Sequence, residues 1–589
     1  MWALVGMLVL ACSLRVAGLL SLATTPYFDT PTLDEAVYYA WASQLANGTY
    51  QSTSAYQAAP LPAYVMALVY WALSPDILYI RILNILFGVA TCYVVYHIGR
   101  ELADRRIGLV AGFVAALYKP FIFYSVVPMK TALAVFLFAT AIACFLAVLR
   151  NLSVVNALGL GVVTGLLLNA RENAMVLIPV LLGMIFWGAY RDHCSVAKVS
   201  TILISLVVGL TVATGPFGLR NYLVAGEFVL TTHQGGFNLY LGNNLDNPDP
   251  YYRPVPFASS DPSNQGIQFT IEASRRVGRK LSPAEASSYW ISEVVQSALT
   301  HPAAFLWKLG EKSLVLFNRF EAGDHYNIDF MSRFATFFQF PFPALSVILP
   351  LGLAGMATAG FASRQVLGAT LACIAYAGTL IIFFTNDRYR LPLLTVFIPF
   401  AVVGLDNLRA HMRHARVKNI AIYACAVIFF VIVEYLPVRA TDDVTAYYNI
   451  HAGLLDKKGF EKEAMAFWET SSSMNKPFSA FANFLLANKY FGKGDFTRAG
   501  SYLEKIPDGS FAAARKYLLL GDLLLAQGQV TDAVAAYERS LAINSGDLTA
   551  RIKLVKIFEG IDKDRAQREL EAVSDLASFY LSIATTALK

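Results

Sequence analysis

Two adjacent carboxylates, Asp34 and Glu35, followed at helical spacing by Tyr38 and Tyr39, make DTPTLDEAVYYA the most chemically pointed stretch of the chain. A carboxylate within hydrogen-bond reach of a hydroxyl can take its proton as a general base. Residue chemistry alone accepts either acid in that role. Acids in the first turn of a helix also stabilise its N-terminus, and the two roles can coexist. A second group, DRYRLP, begins at Asp387. If an apolar span opens there, its free N–H groups and the guanidinium forks of Arg388 and Arg390 make a phosphate the natural ligand. Anchoring to lipid headgroups is the plainer role for the same arginines. Lys119, Lys130, Arg171–Glu172–Asn173 and Arg220–Asn221–Tyr222 complete a set of ionisable residues at the ends of apolar runs. Charges so placed are costly in a bilayer and mark either function or anchoring. Arg171 with Glu172 also reads as a structural ion pair. His233, Asp324 and His325 carry metal-ligating side chains, but no spacing in the sequence joins them, and neither a metal nor any other cofactor is assigned.

The elements that must position these residues are membrane spans. Of 589 residues, 56% are hydrophobic and 15% charged, against about 25% charged in an ordinary soluble domain. Many windows of about 20 residues carry almost no charge, as a hydrocarbon layer of about 30 Å requires. The net charge of +6 is too modest to point to nucleic acid. Spans are predicted at 3–23, 78–99, 107–125, 130–149, 154–170, 173–190, 199–218, 342–361, 366–385, 391–408 and 419–437. The first lacks a basic leading region and a cleavage site, and reads as a retained span. Lys and Arg concentrate in the short loops at 100–106, 150, 191–198, 364 and 409–418, which places those loops in the cytoplasm. Eleven spans then leave Asp34, Arg171, Arg220, Arg388 and the C-terminus outside.

Three outer segments remain. The first, 25–76, should hold a helix over 34–46 and an apolar helix from Pro62 too short to cross, lying in the interface. The second, 219–341, is too long for a passive loop. Its GGFNLYLGNNLDNPDP run predicts a tightly turned surface loop, with a helical portion following over 282–317. The third, 445–589, repeats: Gly494, Ala499 and Leu503 recur 34 residues on as Gly528, Ala533 and Tyr537, and Gly459, Ala464 and Trp468 form an earlier copy. Small residues at that period are the tetratricopeptide pattern, so at least three helix pairs should stack as a solenoid with a degenerate cap after Asp547. Five of the six cysteines fall in apolar spans and Cys194 in an inner loop, so external disulfides are not expected.

These motifs carry a resemblance. DEAVYYAWASQLANG after the first span, RILNILFGVATCYVVYHIGREL in the second, then ARENAMVLIPVLLG, RNYLVAGEFVLTTHQGGFNLYLGNN and RYRLPLL resemble, in order and spacing, the polytopic GT-C glycosyltransferases of the protein O-mannosyltransferase and aminoarabinose-transferase type. The resemblance spans about three quarters of the chain. It implies an all-α polytopic membrane protein, with a transmembrane glycosyltransferase domain over 1–440 and the tetratricopeptide domain over 445–589. It also implies a sugar donor on a polyprenyl phosphate, transferred with inversion to a protein, glycan or lipid acceptor. By that resemblance Asp34 would be the base, deprotonating an acceptor hydroxyl, and Glu35 would position that hydroxyl or support the helix. Arg388 and Arg390, with Tyr389, Arg171 and Lys130, would hold the donor phosphate, while Tyr38, Arg220 and Glu172 would position the acceptor. The expected location is the cell (inner) membrane, with the site and the repeats on the periplasmic side and the repeats recruiting a protein partner. Two departures stand out: Ala58–Ala59–Pro60–Leu61–Pro62 replaces a Lys-Pro-Pro of relatives, and Pro128–Met129–Lys130–Thr131 lacks their acid, for which Glu172 is the substitute. The rival reading is a non-catalytic scaffold or lipid-linked glycan transporter whose repeats are the working part. No inverted repeat between halves favours transport.

Overall fold

Apolar runs led by a short polar cap become helices at the predicted spans. Asp76, Asp104, Ser153, Ser195, Ser363 and Asn386 each accept a backbone N–H of the first turn with their side chains, which satisfies donors that the helix itself leaves open. The structure is a computed structural model and describes residues 1–52, 54–359, 363–438 and 443–583, with side chains to 578. The end of the span expected to reach 361, the domain boundary expected at 440 and residues 584–589 lie outside them. Among the described residues eight helices are long and apolar enough to cross a membrane. The pair Arg105–Leu117 and Lys119–Val126, broken at Tyr118 and bent by 58°, passes the same test when taken as one broken span, with Pro120, which cannot donate to the helix ladder, just after the break. Val154–Ala170 and Leu345–Ala359 complete the eleven, with 17 and 15 residues. At 1.5 Å per residue Val154–Ala170 falls short of a layer of about 30 Å.

The two short helices are held by close contact with longer ones. A Cβ on Gly161 would lie 2.1 Å from the Leu206 carbonyl oxygen, and one on Gly209 2.3 Å from that of Leu158. Without side chains there, Val154–Ala170 and Val196–Ala225 pack backbone to backbone, the usual device where lipid gives no hydrophobic drive. Gly355 likewise meets the Phe400 carbonyl of Asp387–Arg413. That helix is the centre of the bundle, buried almost without interruption from Asp387 to Gly404. The charged loops gather at one end, where Glu101 pairs with Arg150 at 3.0 Å and Asp192 with Arg364 at 2.6 Å. Asp34, Lys130, Arg171 and Arg388 gather at the other.

On that other end sit two helical units. The first external segment holds Asp34–Ala46 and Pro60–Ala72. The second holds Gly235–Asn243, Pro262–Val277, Pro283–Thr300 and Pro302–Leu316. The first half of the predicted turned loop is thus helical, because Phe237 and Leu241 bury against Phe269 and Trp290; an irregular turn follows over 244–250. The repeats form four helix pairs between Thr445 and Ile583. Gly459, Gly494 and Gly528 turn the chain within three of them at φ +85°, +76° and +78°, a region that favours glycine. Ala464, Ala499 and Ala533 are wholly buried at the crossings. Gly161→Leu should force the Val154–Ala170 helix off its neighbour and cost roughly 1–3 kcal/mol. A lower unfolding temperature in detergent is the expected reading, and an unchanged one would count against the close contact.

Candidate active site

The helix Asp387–Arg413 begins where Asn386 caps it, its Oδ1 accepting the Tyr389 N–H at 2.9 Å. The same side chain donates from Nδ2 to Asp324 Oδ2 at 3.0 Å. The cap therefore fixes the helix start and tethers the external loop to it. Arg388, one residue inside the helix, donates from both terminal nitrogens to Asp34 Oδ2 at 3.2 Å, and its Nη2 lies 2.5 Å from Asp324 Oδ2. Its Nε–H is buried without a partner. Asp34 opens the helix Asp34–Ala46 directly after Leu33, whose φ of +48° is strained for a branched side chain. His325 closes the group, with Nε2 3.4 Å from the Asp34 backbone nitrogen and 3.7 Å from its Oδ2. A neutral ring accepts the N–H there, and a protonated one pairs with the carboxylate.

Electrostatics follow from that crowding. Burial pushes the Asp34 carboxyl up, but His325, Arg388 and Lys130 outweigh it and hold it below the ordinary aspartate value. Asp324 is pushed up by burial and pulled further down by Arg388 and His325. Burial lowers His325, yet Asp34 and Asp324 leave it above an ordinary imidazole. Glu35 differs from its neighbour. It is buried, its Oε1 accepts the Tyr326 hydroxyl at 2.7 Å, and burial outweighs Arg81 and Tyr326 to keep its carboxyl above the usual range.

Asp34, Tyr38, Lys130, Arg388 and Tyr389 line one cavity of about 1010 Å³. Lys130 Nζ donates to the Tyr38 hydroxyl at 3.3 Å, and that hydroxyl donates to the Ala59 carbonyl at 3.0 Å. The other sequence candidates stand behind the wall rather than in it. Glu35 faces Tyr326. Arg390 gives its guanidinium to the carbonyls of Leu316, Asn318 and Phe320, which leaves it buried and turned away from any phosphate in the cavity. Arg171 bonds the Tyr376 hydroxyl at 3.2 Å and lies 4.5 Å over the Tyr389 ring, so it braces a lining residue. Arg220 holds the Ser54 carbonyl at 2.6 Å and covers the Tyr56 ring. Glu172 accepts the Thr232 hydroxyl at 3.0 Å and is not paired with Arg171.

Sequence reasoning missed part of the site. Asn386 and the pairing of Asp324 with Arg388 are not visible in any motif. Asp324 and His325 do come together, but around Arg388 and Asp34, while His233 pairs elsewhere with Glu227. Arg388 occupies the space between the two aspartates, and among the described residues no cluster of three His, Cys, Asp or Glu side chains is arranged to hold a metal. Tyr252 and Arg253 of the external domain and Tyr447, Ile450, Phe478, Phe481 and Arg515 of the repeats also line the cavity. The solenoid therefore forms a wall of it.

Residues 57–215 match the family described as dolichyl-phosphate-mannose-protein mannosyltransferase, and residues 455–557 a tetratricopeptide repeat-like domain. The first match is a glycosyltransferase domain. Residues 57–215 therefore carry a similarity to a glycosyltransferase family and residues 455–557 to a tetratricopeptide domain, within a multi-pass apolar helical chain, as the resemblance implied. No curated protein matches it. Among solved structures, the apo oligosaccharyltransferase of Archaeoglobus fulgidus is similar at 13% identity and a TM-score of 0.43, over 90% of this chain and 72% of that one. ArnT of Cupriavidus metallidurans bound to undecaprenyl phosphate is similar at 13% identity and a TM-score of 0.32, over 69% of this chain and 79% of that one.

Glu35 tests the division between lining and support. Glu35→Ala leaves the buried Tyr326 hydroxyl without its acceptor, at a cost of about 1–3 kcal/mol, whereas Glu35→Gln keeps an acceptor and should cost less. Thermal unfolding of the purified protein checks the order of the two variants.

Proposed function

We propose that the protein transfers a hexose or pentose from a polyprenyl monophosphate to an acceptor hydroxyl on the periplasmic side of the cell membrane, with inversion at the anomeric carbon. The observation that carries this reading is Arg388, a buried guanidinium bound to Asp34 on the wall of a cavity at the outer end of the bundle, with its Nε–H unused. A lipid phosphate meets the charges of Arg388 and Lys130, which both line the cavity. Arg390, turned to carbonyls, has no part in it. The acceptor oxygen attacks the anomeric carbon as its proton passes to the Asp34 carboxylate. The bond from that carbon to the phosphate oxygen breaks, and the electron pair leaves with the lipid phosphate. Positive groups already in place stabilise the charge that develops on it.

Sharing Arg388 between Asp34 and the phosphate couples donor binding to base strength. With the phosphate bound, Asp34 keeps less of the guanidinium and becomes a better base. Tyr38 and Lys130 sit beside it to orient the sugar or the acceptor, and Glu172 acts only through the wall.

Asp34→Asn removes the base and should lower transfer by about 100-fold to 10,000-fold, while binding of undecaprenyl phosphate is retained. Arg388→Gln should weaken that binding by about tenfold or more, since a charged hydrogen bond contributes roughly 1.5–3 kcal/mol. Intact-mass analysis of periplasmic proteins and glycolipids reads the transfer. Sugar increments that persist in cells carrying only Asp34→Asn would overturn the role of Asp34, and their persistence in cells lacking the chain would overturn the reaction. The pH profile gives a separate check. Asp34 lies below the ordinary aspartate value, so it stays ionised until the pH falls under about 4, and the acid limb of the rate should lie there. His325→Gln removes the largest of the neighbours that lower it, so the same limb should move to higher pH.

A further inference from the structure

The helices Pro283–Thr300 and Pro302–Leu316 form a hairpin on the external domain that exposes an apolar stripe, flanked on the first helix by the uncharged side chains of Ser288, Ser292, Gln296 and Thr300. Ile291, Val295 and Leu299 recur every fourth residue along the first, and Leu306 and Trp307 stand out from the second. Leu299 is 77% exposed, Leu306 66% and Trp307 67%. Ile374, on the span Arg364–Ile382, is exposed by 61%, so the hairpin presents apolar surface as openly as a membrane helix does. No Asp, Glu, Lys or Arg interrupts the sequence over 294–307. A contiguous patch of this kind is rare on a surface facing water.

The inner face of the hairpin fixes its level. Lys312 is wholly buried and its Nζ donates to the carbonyls of Ile382, at 3.3 Å, and Phe383, at 2.8 Å, where the span Arg364–Ile382 ends. Lys308, one turn earlier, donates to the carbonyls of Asn244 and Asn247 at 2.8 and 2.5 Å. The helix Pro302–Leu316 is thereby bolted to the outer end of a membrane span. Its opposite face carries the exposed Leu306 and Trp307, and the span it is bolted to exposes Ile374 and, at the bolted end, Ile382. Tryptophan is the residue that settles at the boundary between headgroups and acyl chains.

We propose that the uncharged outer face of this hairpin rests in the outer leaflet of the bilayer, docking the external domain on the membrane surface. Through Lys308 and Lys312 the contact holds the turn 244–250, and with it the Tyr252–Arg253 wall of the cavity, at the depth where a lipid-linked phosphate must sit. The partner is the neutral apolar part of the lipid. Anionic headgroups are not required, because the face offers no cation.

The test uses the full-length protein in phosphatidylcholine vesicles containing lipid brominated near the glycerol end of its acyl chains. The chain has seven tryptophans, so the emission of Trp307 is taken as the difference between the natural protein and Trp307→Phe. Bromolipid should quench most of that difference, aqueous iodide should leave it largely intact, and added phosphatidylglycerol should change neither. A difference emission that bromolipid leaves unchanged overturns the proposal, whatever iodide does. Quenching that appears only with phosphatidylglycerol also overturns it, in favour of a basic contact elsewhere on the domain. Leu299→Glu combined with Leu306→Glu lifts the face without touching the cavity, and should convert the Trp307 signal from bromolipid-sensitive to iodide-sensitive. Because the readout is spectroscopic, the result stands apart from the proposed transfer reaction.

Discussion

Arg388 carries its charge into the end of the bundle where little water reaches it, and its neighbours are what that placement demands. Moving an ion out of water costs several kcal/mol even after relaxation, so the guanidinium must meet carboxylates there. Two supply them. Asp34 comes from the helix after the first span and Asp324 from the far end of the large external segment. Arg388 itself cannot move aside, because it sits on the first turn of the most buried helix, capped by Asn386. A fixed cation holding two acids from distant parts of the chain is a site organised before any substrate arrives.

Recruiting Asp324 has a structural consequence. The chain from 320 to 340 must return to the bundle end, and it is wedged there between the spans and the first repeat helix, Thr445–Lys457. Gly323 is glycine because a Cβ would meet the Tyr447 hydroxyl at 2.1 Å. Phe334 stacks on His451 with ring centres 4.0 Å apart, and Tyr27 lies between Tyr326 and His451. Lys458 pairs with Asp29 at 2.6 Å. The solenoid thus packs on the segment that carries two of the charged groups around Arg388. Residues of its first three helix pairs, from Tyr447 to Arg515, also wall the cavity, so the fold makes the solenoid part of the site.

The spans were legible because apolar runs with polar caps leave few alternatives, and the repeats because Gly459, Gly494 and Gly528 answer a turn that needs positive φ. The short external helix Gly235–Asn243 was not legible, since its Gly and Asn residues read as a turn and its apolar face has meaning only beside Trp290. Asp324 and His325 were visible as residue types but not as neighbours of Asp34. They lie 290 or more positions away, as the 291-residue separation of His325 from Asp34 records, and no local period encodes such a meeting. Arg390 was legible and misplaced. Residues two apart on a helix point to nearly opposite sides, so once Asp387 opens a helix, Arg388 and Arg390 cannot both face one ligand.

The same geometry resolves the acid pair. Asp34 and Glu35 begin one helix, and neighbours on a helix are turned about 100° from each other. The two carboxylates must therefore enter different surroundings, whatever those are. Asp34 turns to the cavity, where cations hold it below the ordinary aspartate value; Glu35 turns into the protein, where Tyr326 donates to a carboxyl that burial holds above its usual range. A base has to be charged and reachable before reaction, and a buried brace has to be neither. Leu33, strained at φ +48°, stands just ahead of the pair where the chain turns into that helix. Chemical type alone left the two interchangeable, and the contacts each meets, Arg388 for one and Tyr326 for the other, separate them.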